Sequence, residues 1–338
     1  MTHGDEAHGG AGAAAEGGDG RTAVGSAAAA DGTSTGRAHD TAGRRTLAGR
    51  TLLMSGGSRG IGLAIALRAA RDGANVAIMA KTDQPHPKLE GTVHTAAAQI
   101  EAAGGRALPI IGDVRFEESV AEAVERTAAA FGGIDVVVNN ASAIDLSPTD
   151  QLPMKKYDLM QDINARGSFL LAKTALPHLR KAADGAHVLT LSPPLNLNPH
   201  WAGKHLGYTM SKYGMSLVTL GLAEELRDER IAANSLWPRT TIATAAVQNV
   251  LGGDALTARS RTPEIMADAA WTILTRDPAA CTGRFLIDED VLREEGVTDF
   301  SGYLPGGGAD GAGGAGGAGG AEDSVREEDL ELDIFLDG

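Results

Sequence analysis

The 338-residue sequence predicts a doubly wound α/β fold, one parallel sheet with helices on both faces, in a single domain. Three observations predict it. Short apolar runs alternate strictly with helix-length amphipathic segments over about 240 residues, the pattern of repeated β-α units. The first apolar run leads directly into a glycine-rich turn and then a helix. Gly/Ala tracts flank this region on both sides, so the alternation has definite ends.

Taken in order, Thr51 to Ser55 is a short apolar run closed by glycines, the mark of a buried strand, and Ile61 to Arg71 has helical spacing. Asn75 to Ala80 and Ala107 to Ile111 are the next strands, separated by a helix from Thr92 to Ala103. An amphipathic helix, Phe116 to Phe131, precedes the apolar strand Ile134 to Val138. Residues 155–182 form a long helix and His187 to Leu191 a fifth strand. A helix over 207–228, a strand from Ala232 to Trp237, a helix over 263–275 and a last strand from Arg284 to Ile287 complete the series.

The domain is placed at 47–304. Residues 1–46 hold almost no large apolar side chain and are expected to be a disordered tail. Residues 305–321 form a Gly/Ala linker, and 322–338 an acidic arm that alternates acids with Leu330, Leu332, Ile334, Phe335 and Leu336. That arm either docks on the domain or a neighbouring subunit, or stays solvated. Residues 305–338 carry nine acids and one arginine, so this stretch holds −8 of the formal charge of −14. An acidic chain without a basic cluster is a poor binder of nucleic acid or anionic membrane. A single cysteine, Cys281, excludes an internal disulfide. With no membrane span, signal or transit pattern, the expected location is cytoplasmic.

Chemistry concentrates in two motifs. Ser55-Gly56-Gly57-Ser58-Arg59-Gly60-Ile61-Gly62 lies between a strand and a helix, where glycines permit a tight turn and a close approach of phosphate to the helix N-terminus. Tyr208 and Lys212 lie four residues apart, on one face of a helix. A fixed cation beside a phenol favours its phenolate, so the pair can move a proton at an alcohol or ketone oxygen. Alone, it is equally the pattern of an ordinary surface pair.

The G-x-x-x-G-x-G spacing with Tyr208 and Lys212 about 150 residues later resembles the short-chain dehydrogenase/reductase family, a Rossmann-type fold. Asn139-Asn140-Ala141 resembles that family's N-N-A-G, with Ser142 in place of the glycine; Pro238-Arg239 stands where Pro-Gly is usual. The resemblance covers roughly residues 47–290. Three further runs, from Ala80 to Leu89, from Ser192 to Pro199 and from Leu236 to Thr240, are similar to its hydroxysteroid dehydrogenase-like branch. Animal members of that branch add a sterol-carrier domain; here the Gly/Ala tract and acidic arm occupy its place, so a lipid-carrier role is not implied.

The resemblance implies an oxidoreductase that transfers hydride between a nicotinamide and an alcohol or ketone, with Tyr208 handling the proton, Lys212 assisting it and holding the nicotinamide ribose, and Asn164 supporting a water chain. Tyr213 is a rival phenol without a lysine four residues on. The family serine belongs thirteen residues before the tyrosine, where this chain has Leu195; Ser192 is the expected substrate-orienting hydroxyl, with Asn196 or Asn198 as substitutes. Cofactor residues implied are Gly56, Ser58, Arg59, Gly60, Ile61, Gly62, Lys81, Asp113, Asn140, Tyr208, Lys212 and Pro238. NAD-preferring folds place an acid after the second strand, but this one ends Met79-Ala80-Lys81, so NADP(H) is preferred, with NAD(H) left open. Lys81 and Arg59 are otherwise a solvated lysine and a carboxylate-paired arginine.

Ile144, Leu146, Leu195, Leu197 and Trp201 fall beyond strand C-termini and suggest an apolar substrate, or merely pack their loops. His86, His200 and His205 lack ligand spacing, so no metal is expected. The apolar girth of helix 155–182 suggests a homodimer or homotetramer, as the family implies. The alternative from another class is an NADP(H)-binding scaffold or lipid-binding protein with little or no turnover.

Overall fold

The computed structural model describes residues 45–85, 91–306 and 326–337. The expected tail and linker fall almost wholly outside these residues. Seven strands form one parallel sheet: β1 (Thr51–Ser55), β2 (Asn75–Ala80), β3 (Arg106–Ile111), β4 (Val136–Asn139), β5 (Ala186–Thr190), β6 (Ile231–Trp237) and β7 (Phe285–Ile287). Their order is β3-β2-β1-β4-β5-β6-β7. The order reverses between β1 and β4, and there the crossover helices diverge to opposite faces, leaving a crevice at the strand C-termini.

Alternation along each strand divides the core in two. Leu52 and Met54 of β1, Val76 and Ile78 of β2, and Val136 and Val138 of β4 face one side. They pack against helices α1 (Gly60–Arg71) and α2 (Val93–Ala102) and against the later helix of residues 264–274. Leu53, Ala77, Met79 and Val137 face the other side. Their partners are α3 (Glu117–Phe131) and the long helix that follows β4. Because both faces are covered, strands read as continuous apolar runs. Each fully buried Val, Leu or Ile contributes about 1.5–3 kcal/mol.

The long helix expected over 155–182 is not uniform. It starts as α4 (Met154–Met160), passes through a π-helical turn (Gln161–Arg166), and continues as α5 (Gly167–Leu179). The helix expected over 207–228 is preceded by a short one, α6 (Pro199–Lys204), and is itself α7 (Leu206–Glu225). The remaining helices are α8 (Gly253–Ala258), α9 (Glu264–Leu274) and α10 (Asp288–Glu294). Among the described residues no helix is long and apolar enough to cross a membrane.

Residues 326–337 lie on this same domain. Thr241 N–H donates to Glu331 O at 2.9 Å, Glu331 N–H to Arg259 O at 3.0 Å, and Asp333 N–H to Arg239 O at 2.9 Å. These backbone bonds seat the acidic arm against the chain that leaves β6, beside an isolated bridge of Thr240 to Leu332.

His187, on β5, is 3% exposed, and burial holds its imidazole down at about 4, with Arg50 adding to the shift. A group with a folded-state pKa below its unfolded value stabilises above the unfolded pKa and loses that contribution as pH falls towards the folded one. Unfolding free energy is therefore expected to fall by up to about 3 kcal/mol between pH 6.5 and 4 from this residue alone. Denaturant titrations at several pH values check it; a His187→Gln variant with an equally steep loss over that window would refute the assignment.

Candidate active site

A cavity of about 660 Å³ opens along the C-terminal ends of β1 to β6. Its floor is the glycine turn. Helix α1 begins at Gly60 with no acid in its first turn and no side-chain cap on its amides, and Gly60 and Ile61 line the cavity. Unsatisfied amides at a helix N-terminus suit an anion such as a pyrophosphate. Gly56 and Gly60 take positive φ, +77° and +55°, which a side chain would disfavour.

Gly62 has a different reason to be glycine. Added there, a Cβ would lie 2.6 Å from Asn140 Nδ2 and 2.8 Å from Gly56 O. Asn140 donates to Gly56 O at 2.7 Å and to Ser55 O at 3.2 Å, locking the end of β4 onto the turn after β1. The sequence assigned Asn140 to cofactor contact; it lines the cavity and also braces the glycine turn.

At the edge near β2 and β3, Ser58, Arg59, Lys81, Thr82 and Asp113 share the cavity wall. Arg59 donates to the Thr82 hydroxyl at 3.1 Å and to Gly91 O at 3.0 Å, which keeps its guanidinium at the rim. Asp113 is gripped by Arg115 at 2.6 Å and lies 3.8 Å from Lys81. These cations hold its carboxyl below the usual range against the opposing effect of burial. Thr82 escaped the sequence reading because a threonine after a strand has no distinguishing pattern.

At the other end, Leu191, Tyr208, Lys212, Trp237 and Pro238 line the same cavity. Tyr208 and Lys212, one turn apart on α7, are 5% and 2% exposed. Lys212 Nζ donates to Leu191 O at 2.6 Å and sits 5.0 Å from the centre of the Trp237 ring. Burial brings its ammonium down to about 7, opposed by the charge of Asp333. Burial drives the Tyr208 phenol upward, and Asp333 adds to this, while a hydrogen bond with the Ser142 hydroxyl acts the other way. Tyr213 is turned elsewhere: its hydroxyl donates to Asn196 O.

Asn164 lies in the π-helical turn and is fully buried. Its Oδ1 accepts from Ala143 N–H at 2.7 Å, and its Nδ2 donates to Ala143 O at 2.9 Å and Ser211 Oγ at 2.9 Å. The amide thus fixes the segment after β4 that presents Ser142 and Ile144 to the cavity. A π-turn re-aims side chains locally, a frequent feature of functional sites.

Ser192 is not brought to this wall. It is fully buried, its Oγ hydrogen-bonds Ser235 Oγ at 2.8 Å, and Ser235 continues the chain to Thr219 at 3.0 Å. Nor do the substitutes reach Tyr208: Asn196 donates to Phe335 O and Asp337, and Asn198 to Asp337. The hydroxyl beside Tyr208 is Ser142, which sequence comparison had marked only as a replaced glycine. Arg239, the other replaced glycine, turns to the acids of α10, 2.5 Å from Asp290 and 3.5 Å from Glu289.

The arm completes the picture. Asp333 and Ile334 line the cavity, and Phe335, 2% exposed, joins an apolar cluster with Tyr208, Trp237 and Met160. Ile144, Leu146 and Trp201, expected either to meet substrate or to pack loops, pack against this same cluster.

A family model described as "short chain dehydrogenase" matches residues 50–253. Hydroxysteroid dehydrogenase-like protein 2 of Danio rerio is 58% identical over 257 residues, 76% of this chain and 61% of that protein. The Homo sapiens protein of that name is 54% identical over the same length, covering 60% of it. The chain therefore spans about three fifths of the length of these curated relatives. Among solved structures, a protein from Xanthomonas campestris is 53% identical, with a TM-score of 0.78 over 87% of this chain and 100% of that one. A short chain dehydrogenase from Mycobacterium thermoresistibile is 51% identical, with a TM-score of 0.76 over 86% and 96%.

The contact between Gly62 and Asn140 yields a test. Gly62→Ala is expected to destabilise the protein by about 1–3 kcal/mol through overpacking. Paired with Asn140→Ala, part of that loss should vanish in a double-mutant cycle read by chemical denaturation, the close approach to Gly56 O remaining. Strict additivity of the two changes would show that Asn140 is not what excludes a side chain at Gly62.

Proposed function

This chain belongs to the short chain dehydrogenase family and is an oxidoreductase of that type, and on this premise we propose that it uses NADP(H) to reduce a ketone to its alcohol. The observation that carries the reading is the presence of Tyr208 and Lys212 on the wall of the cavity whose floor is the glycine turn. A nicotinamide cofactor bound there supplies or takes up hydride. The chain's own residues do the rest.

Amides at the start of α1 favour the pyrophosphate, and Lys212 is placed for ribose hydroxyls. Arg59 and Lys81, with the Thr82 hydroxyl, support a preference for a 2′-phosphate; the residue ending β2 is Ala80, so no acid there repels it. Burial keeps the Tyr208 phenol protonated, which suits it to donate a proton to a carbonyl oxygen as charge develops there. Ser142 takes the part expected of Ser192. Its hydroxyl, on the same cavity wall as Tyr208, orients the carbonyl. Asn164 acts through position, by fixing the backbone at Ala143.

The wall beyond Tyr208, with Ile144 and Ile334, supports an apolar ketone. Exposed Phe169 on α5 and Met210, Leu217 and Leu220 on α7 support self-association, as a homodimer or homotetramer. The turn of Ser192 away from the cavity is the one observation that favours the alternative, a cofactor-binding protein without turnover.

The purified protein is expected to bind NADPH more tightly than NADH in thermal-shift assays and to oxidise it with members of a carbonyl panel. Tyr208→Phe should lower kcat by at least about 100-fold, the scale of general acid catalysis, and leave NADPH binding intact. Ser142→Ala should lower kcat more than Ser192→Ala. Tight NADPH binding with no turnover on any carbonyl would favour the scaffold reading; full activity of Tyr208→Phe would remove the tyrosine from the chemistry.

A further inference from the structure

We infer that the C-terminal arm is a wall of the catalytic site and that Phe335 sets how large a substrate can reach the Tyr208 hydroxyl, an inference that rests on the oxidoreductase reading. Phe335 stacks on the Tyr208 ring, with centroids 6.2 Å apart and planes 24° from parallel. It also meets Trp237 at 5.9 Å, Tyr213 at 5.3 Å and Trp201 at 6.2 Å. Four aromatic neighbours from α6, α7 and β6 make this a built socket for one side chain.

The backbone is bent to fill it. Phe335 has φ +76°, a region that bulky residues rarely occupy and that persists only when surrounding contacts hold it. Those contacts lie on both sides. Trp237 Nε1 donates to Ile334 O at 3.0 Å and Asn196 Nδ2 to Phe335 O at 3.1 Å. Asp337 accepts from Trp201 Nε1 at 2.9 Å and from Asn196 at 2.8 Å. Further back, Glu331 pairs with Arg259 at 2.8 Å and Glu327 with Arg261 at 3.3 Å.

Placement separates a wall from a plug. Phe335 stacks beside the Tyr208 ring, whereas Ser142, Tyr208, Asp333 and Ile334 all line the cavity that extends to the glycine turn. The arm bounds the substrate end without interrupting the cavity. Shortening Phe335 would add a ring-sized apolar space next to Tyr208, the change that alters specificity among apolar substrates.

The test compares wild type, Phe335→Leu and Phe335→Ala. Binding of butan-2-one, acetophenone and benzophenone is read by quenching of tryptophan fluorescence, with and without saturating NADPH, beside NADPH oxidation rates and melting temperatures. Because Trp201 and Trp237 flank the socket, the binding arm needs no turnover and stays decisive if the oxidoreductase reading fails. Phe335→Ala is expected to raise affinity for benzophenone relative to butan-2-one by at least about tenfold, with Phe335→Leu between it and wild type and NADPH affinity unchanged. Relative affinities that stay constant across the three proteins would reduce Phe335 to packing. An equal gain for every ketone would make the arm a plug, and either result overturns the inference. Should Phe335→Ala melt far below wild type, the comparison with Phe335→Leu decides alone.

Discussion

Burial of the Lys212 ammonium is the constraint from which the rest of the site follows. An ion taken out of water loses several kcal/mol of hydration unless the protein replaces it. Here a carbonyl, a ring face and the Met215 sulfur surround it, while the charge of Asp333 acts from farther off. Leu191 O comes from the exit of β5, the Trp237 ring from the end of β6, and Asp333 from the C-terminal arm. Moving any one of them leaves the ammonium less well held. Burial, which lowers the lysine, also raises the tyrosine, and the charge of Asp333 raises both.

The exit of β5 shows how this constraint shapes a loop. Leu191 O is free to accept from Lys212 because the strand ends there and prolines follow. Pro193 O in turn accepts from Ser216 Oγ at 2.6 Å, one turn beyond Lys212 on α7. Two alternate carbonyls of the loop, those of Leu191 and Pro193, are thereby pinned to one helix, and the side chain of Ser192 between them joins the hydroxyl chain with Ser235 and Thr219. The lysine and the prolines together account for the orientation of that serine.

The parallel sheet with helices on both faces was legible in the sequence because it depends on β-α alternation, which every unit repeats. The glycine turn and the spacing of Tyr208 and Lys212 were legible because they are local. What was not legible depends on residues far apart in the chain. Ser142 meets Tyr208 across 66 positions, and nothing near either one announces it. Gly62 was read as leaving room for phosphate, while a Cβ there would collide with Gly56 O and with the side chain of Asn140, 78 positions on. The π-turn at Asn164 is invisible for another reason: its residues have ordinary helical preferences, and the extra backbone residue appears only once Asn164 ties down Ala143.

The arm departs from strict alternation of inward and outward residues. In an extended segment side chains alternate, so strict alternation would bury Leu332, Ile334 and Leu336 and expose Asp333 and Phe335 between them. Leu332 is instead 45% exposed, while Asp333 faces Lys212 at the cavity and Phe335 is buried. Burial pushes the Asp333 carboxyl up to about 7, so hydrophobicity alone would reject this register. Two features offset that cost. A hydrogen bond from the Ile334 amide and the charge of Lys212 act on the carboxyl against burial, and the aromatic socket takes Phe335. The docked arm thus joins a buried aromatic and two partly buried aliphatics to one acid at the cavity, a mixture whose docking composition alone left undecided.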